Sequence, residues 1–205
     1  MTRIALIAAV LALAANVRAE APKASADGAR AFADKVVAAA GGPDKLLKFF
    51  RFRERLNVSS DPAKTPSERS STVAPPDGWW FGTKFRPKIE PKMLAYAWTL
   101  GVLTDAKTKL ELLPEVTEAD RPAVGLRVTG SVEPALDMYF DKAELRLVRI
   151  DWKTSIHRFS DWREVDGCRY AAKVAGYRKT TGKPWYFTEI VEIERLRELP
   201  ADLKK

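Results

Sequence analysis

The chain has 205 residues, 35 lysines and arginines against 27 aspartates and glutamates, one histidine and one cysteine. That length suits a single domain with a substantial core. One cysteine excludes an internal disulfide, so stability must come from packing. One histidine with one cysteine also excludes a zinc centre of the usual ligand set.

The chain opens on Met1, Thr2 and Arg3, then an apolar run from Ile4 to Ala15, then Asn16, Val17, Arg18 and Ala19. A short basic start, about a dozen apolar residues and small residues at positions 17 and 19 predict a cleavable signal peptide over residues 1–19. A membrane span would need about 20 apolar residues. Glu20 stands where a lipidated cysteine would be needed, so the expected product is unanchored and periplasmic or secreted. Removal of the leader would leave 186 residues at a net charge of +6. For an exported chain that balance reads first as an ordinary soluble surface, with an anionic membrane surface or an envelope polymer as the alternative, and no nucleic acid is expected as partner.

Residues 20–26 read as a spacer and 27–205 as one domain. Asp27 is a candidate N-cap for a helix whose apolar stripe is Ala29, Phe32, Ala33, Val36, Val37 and Ala40. Gly41-Gly42-Pro43 ends it, and Asp44 to Lys48 suit one more helical turn. From Phe49 the period drops to two: Phe50, Phe52, Leu56 and Val58 point one way, and Arg51, Arg53, Arg55 and Asn57 the other. Glu54 falls on the apolar face, either as a polar group in a cavity or as a sheet-edge residue paired with an arginine. A polar strand near Glu68 to Ala74 leads to the turn Pro75-Pro76-Asp77-Gly78, and Trp79, Trp80 and Phe81 begin the next strand. Residues 92–103 suit a helix that is apolar almost all round, which must be covered on several sides: a plug in a sheet, a plain core helix, or a pair of strands. Seven alternating runs follow, at Thr108 to Leu113, Val124 to Val132, Leu136 to Asp141, Leu145 to Lys153, His157 to Val165, Arg169 to Arg178 and Trp185 to Leu196. The tight turns between them predict an antiparallel meander.

The Gly41-Gly42 turn, with Leu46 and Phe49 leading into the first strand, and the hairpin series resemble the LolA/LolB-like superfamily of periplasmic lipoprotein carriers. Tyr139-Phe140-Asp141 before Leu147-Val148-Arg149, Asp161-Trp162-Arg163-Glu164-Val165-Asp166-Gly167, the runs to Tyr177 and from Phe187 to Leu196, and Pro200-Ala201-Asp202-Leu203 carry that resemblance. It implies an α+β, mostly antiparallel fold: a strongly curved half-barrel sheet wrapped around one or two helices, with acyl chains or another apolar ligand on the concave side. No ligand-binding arginine of the family aligns onto a particular residue here.

Catalysis finds little support. His157, in Ile156-His157-Arg158, reads as a surface or sheet-edge histidine with no serine motif beside it, and Cys168 as a small core residue without a second cysteine. Glu189, Glu192 and Glu194 lack the glycine and oxygen ligands of a calcium loop. The carboxylate pairs Asp161 with Glu164 and Asp137 with Asp141 have no fixed geometry for glycosidase work. No cofactor, metal or catalytic residue is therefore expected. Apolar capture remains: Trp79, Phe81, Phe85, Met93, Trp98, Met138 and Phe140 are the candidate ligand-lining residues, or they simply fill the core. The expected role is a non-enzymatic carrier or receptor for a hydrophobic small molecule or acyl chain. The alternative is an envelope-protein contact or sensing module with a filled core, using the row Arg51, Arg53 and Arg55 or an exposed sheet edge.

Overall fold

The computed structural model describes residues 26–204. The predicted signal peptide lies outside the described residues, as does the spacer up to residue 25. Ala26 is already helical: α1 runs Ala26–Ala39, with Ala29, Ala33, Val36 and Val37 buried along the expected stripe. Asp27 therefore sits in the first turn, not at the cap. Gly42 N–H bonds the Val37 carbonyl at 2.9 Å, closing the helix. Gly41 (φ 114°) cannot be replaced cheaply, since a Cβ there would lie 2.0 Å from the Gly167 carbonyl oxygen. The helical turn expected over Asp44 to Lys48 is instead an irregular turn. Arg195 donates to the Lys45 and Leu46 carbonyls and ties this turn to a distant part of the chain.

Eleven strands form one sheet: β1 (Phe50–Asn57), β2 (Ser67–Ala74), β3 (Gly78–Phe81), β4 (Lys84–Phe85), β5 (Lys109–Glu118), β6 (Arg121–Thr129), β7 (Leu136–Asp141), β8 (Leu147–Trp152), β9 (Ser155–Val165), β10 (Cys168–Arg178) and β11 (Pro184–Arg195). The order is β4-β3-β2-β1-β11-β10-β9-β8-β7-β6-β5, with every pairing antiparallel. β5 to β11 are the predicted meander, and the last strand returns to pair with the first, Phe50 opposite Arg195 and Asn57 opposite Phe187. β5 extends beyond the expected Leu113. It is an edge strand whose register shifts between Leu113 and Val116, so Pro114 falls where no ladder bond is required.

The two edge strands β4 and β5 are joined by α2 (Ile89–Trp98) and α3 (Gly101–Thr104). The apolar run is thus two helices and not the single one expected over 92–103. The chain breaks at Leu100, which takes a left-handed φ of 61°. α2 also begins earlier than expected and contains Pro91, tolerated because the first turn has no intrahelical N–H partner to lose.

These helices divide the core into two lobes. In one, α1 and α3 cover β6 to β8, burying Leu126, Val128, Met138, Phe140 and Ile150 completely. In the other, Leu47, Phe50, Phe52, Val73, Tyr170 and Ile190 pack on one another. Trp98 belongs to both, edge-on to Phe50 and Tyr170, with its indole N–H bonded to the Ala171 carbonyl at 3.1 Å. Cys168 is a buried free thiol in the second lobe, and burial raises its pKa.

Candidate functional site

The second lobe is not filled. Between α2 and the β8 to β11, β1, β2 and β3 side of the sheet lies a cavity of about 500 Å³, within the roughly 300–1,000 Å³ of small-molecule sites. Strand alternation aims its walls. On β1 the face Phe50, Phe52, Glu54 and Leu56 lines it, continued by Val58 just past the strand, as the period-two reading implies. His157 and Phe159 come from β9, Val174 and Arg178 from β10, and Tyr186, Thr188 and Ile190 from β11. Leu94, Ala95 and Trp98 of α2 form the roof. The exposed members of this lining, Val58, Glu90, Pro91, Lys153, Thr154 and Arg178, mark the opening.

A belt of polar groups crosses the otherwise apolar wall. Glu54 is only 4% exposed. It accepts hydrogen bonds from Arg69 at 2.6 Å and Thr188 at 2.5 Å, so it faces a cavity and is paired with an arginine, but on an interior strand and not near the sheet edge that the second reading expects. The pairing matters because an unpaired carboxylate at this burial would be strongly destabilising. Next to it, His157 Nδ1 and the Tyr186 hydroxyl are 2.7 Å apart. His157 is 3% exposed on an interior strand, which corrects the surface or sheet-edge assignment. Burial lowers its pKa to about 4, and burial likewise raises that of Tyr186, so both are uncharged at neutral pH. Two further lining groups, the indole N–H of Trp79 and of Trp185, are buried without a hydrogen-bond partner.

Tyr186 reaches His157 by lying across β10 at Gly176, which pairs with both residues. A Cβ on Gly176 would stand 1.9 Å from Tyr186 Cε1. Gly176→Ala is expected to push the ring aside, break the contact with His157 and cost about 1–3 kcal/mol, read as a lower urea midpoint. Unchanged stability with an unchanged Tyr186 environment would refute this account of the belt.

Of the seven candidate lining residues, Trp79 and Trp98 line the cavity. Met138 and Phe140 lie on the concave face but in the filled lobe, where α1 covers them and Phe32 packs edge-on against Phe140 at 6.0 Å. Met93 packs against that same lobe. Phe81 is flanked by the guanidinium groups of Arg69 at 4.9 Å and Arg86 at 4.7 Å. Phe85 is 46% exposed on the short edge strand. The residues missed, His157, Tyr186, Thr188 and Ile190, carried a usable signal: His157 alternates with Phe159, and Tyr186 with Thr188 and Ile190.

The outer row of β1 is charge-balanced. Arg51 pairs with Glu194 at 3.5 Å, Arg53 with Glu68 at 3.2 Å and Glu192 at 3.3 Å, and Arg55 with Glu68 at 3.1 Å. Asn57, expected in that row, is buried because its amide bonds the Asp61 carbonyl at 2.7 Å. Among the described residues, no three histidine, cysteine, aspartate or glutamate side chains cluster to hold a metal.

No family model and no curated protein matches the chain. Solved structures do. A domain from Vibrio parahaemolyticus named for outer membrane lipoprotein sorting superposes with a TM-score of 0.56 at 11% identity, covering 87% of this chain and 96% of that one. A DUF1329 family protein from Desulfovibrio piger gives 0.53 at 11% identity, with 85% and 95% covered. A LolA superfamily protein from Nitrosomonas europaea gives 0.48 at 11% identity, with 82% and 94% covered. The chain has a LolA-like fold, a curved antiparallel sheet around helices, as the sequence resemblance implied.

Proposed function

We propose that this LolA-like chain is a non-enzymatic carrier or receptor that holds a hydrophobic ligand with a single long chain, such as a lipid or lipoprotein acyl chain, in the cavity beneath α2. The observation that carries this reading is the cavity itself: about 500 Å³ of apolar-walled space in an otherwise close-packed domain. Each methylene moved from water into it contributes about 0.8 kcal/mol. The polar belt suits a container more than a catalyst, because the Glu54 carboxylate is held by Arg69 and Thr188, and His157 and Tyr186 are bonded to each other and uncharged. The indole N–H groups of Trp79 and Trp185 add donors for an oxygen acceptor on the ligand, an ester carbonyl for example. The signal peptide predicted over residues 1–19 supports a site of action outside the cytoplasm, in the periplasm or beyond the cell.

Gently purified mature protein, extracted with organic solvent and measured by mass spectrometry, is expected to release a lipid, and the emptied protein to bind a fluorescent fatty acid. Absence of both signals would end the carrier reading. The rival reading, an envelope-protein contact through Arg51, Arg53 and Arg55, has less support because glutamates already pair those arginines.

A further inference from the structure

The cavity opens onto an unusual piece of surface. The exposed large apolar side chains among the described residues are Val58 at 59%, Phe85 at 46% and Ile89 at 61%. Val58 lines the opening, and Ile89 immediately precedes Glu90 and Pro91, which also line it. Phe85 lies four residues earlier, its ring 5.1 Å from the ammonium of Lys92 in the first turns of α2. The intervening chain alternates cations with apolar residues: Lys84, Phe85, Arg86, Pro87, Lys88, Ile89. Across the opening stand Arg178 and, in the β10–β11 hairpin, Lys179 and Lys183, all exposed.

In contrast to the arginines of the outer β1 row, these cations make no ion pair with a carboxylate: none of Lys84, Arg86, Lys88, Arg178, Lys179 or Lys183 does so among the described residues. Arg178 lies over the Trp185 ring at 5.1 Å and Arg86 over Phe81. The carboxylate lining the opening, Glu90, is taken by Lys153 at 3.0 Å.

We propose that this rim is a docking surface for an anionic lipid bilayer, which brings the cavity opening to the headgroup layer. The chemistry asks for two layers at once, negative charge for the unpaired cations and an apolar medium for Ile89, Val58 and Phe85. A bilayer supplies both, phosphates above and acyl chains beneath, whereas an acidic protein would satisfy the cations and leave the apolar side chains in water. The proposal goes beyond the carrier reading and does not depend on an occupant of the cavity.

The test uses the purified chain with vesicles of phosphatidylcholine alone or of phosphatidylcholine mixed with phosphatidylglycerol. Binding is expected to need the anionic lipid and to weaken with salt. Each lysine or arginine near such a surface is worth roughly a fivefold change in affinity. Lys84→Glu/Arg86→Glu/Lys88→Glu should therefore weaken binding by about a hundredfold or more. Ile89→Ser should also weaken binding by about tenfold and leave the salt dependence in place, since it removes the inserted apolar group and changes no charge. A charge-matched control on α1 and the opposite sheet edge, Lys35→Glu/Lys107→Glu/Lys109→Glu, should change binding by no more than about twofold. All these positions are exposed except Arg86, which is half-buried over Phe81, and circular dichroism checks that each variant is folded. Equal loss from the control, or no preference for anionic vesicles, would overturn the proposal. Fatty-acid binding, measured in parallel, separates the two readings: a chain that binds vesicles but no fatty acid keeps the docking surface and loses the carrier.

Discussion

Val174→Trp is expected to weaken fatty-acid binding by roughly fifteenfold or more while leaving the thermal midpoint close to that of the wild type. Val174 is half-buried on β10 and lines the cavity, so an indole there takes the volume a chain would occupy. Losing the burial of just two methylenes removes about 1.6 kcal/mol, which is that factor. The same enlargement in a filled lobe forces neighbours off their rotamers at about 1–3 kcal/mol. Met138→Trp, at a residue buried completely beneath α1, provides that contrast. Stability should fall for Met138→Trp and binding for Val174→Trp. Should both variants lose stability alike with binding intact, the space beneath α2 is not the ligand site. Denaturant midpoints and displacement titrations distinguish the outcomes.

The second large effect is on pH. His157 is the only histidine of the chain, so any histidine contribution to stability is its own. Burial holds its folded pKa at about 4, against about 6.5 in the unfolded chain. Between those values the unfolded state takes up a proton that the folded state refuses. Stability is then full above pH 6.5 and declines as the pH falls toward 4, by a total on the order of 3 kcal/mol. Asp151 acts to raise the pKa and Lys179 to lower it, both less than burial does. His157→Gln keeps an uncharged hydrogen-bonding group beside Tyr186 and should flatten this slope relative to the wild type. Urea unfolding at pH 7 and pH 4.5 measures it. An imidazole that titrates near pH 6.5 in the folded protein, followed by nuclear magnetic resonance, would contradict it. In the working range the neutral ring adds no unpaired charge to the cavity wall, which suits an apolar occupant.

The same physics separates what was legible in the sequence from what was not. Periodicity is a local quantity, so β1 reads correctly down to Glu54 on the inner face, β7 is found over Leu136–Asp141, and the stripe of α1 is the stripe that is buried. The apolar run after Pro87 announces a helix needing cover on several sides, yet its break depends on a left-handed Leu100 before Gly101, where a Cβ would stand 2.6 Å from the Tyr96 ring. The irregular turn at residues 44–48 is held by hydrogen bonds from Arg195, about 150 positions away along the chain.

What the sequence by itself determined is the hairpin grammar, the antiparallel class, the absence of a disulfide and the two faces of each strand. Tertiary structure decided which part of the concave face is filled. Met138, Phe140, Phe52 and Ile190 are alike in sequence, apolar residues on alternating strands. α1 closes over the first two, whereas α2 roofs the side of Phe52 and Ile190 without filling it. Alternation fixes the side of the sheet a residue faces, but a cavity exists only where two distant elements fail to meet, and no local pattern encodes that distance.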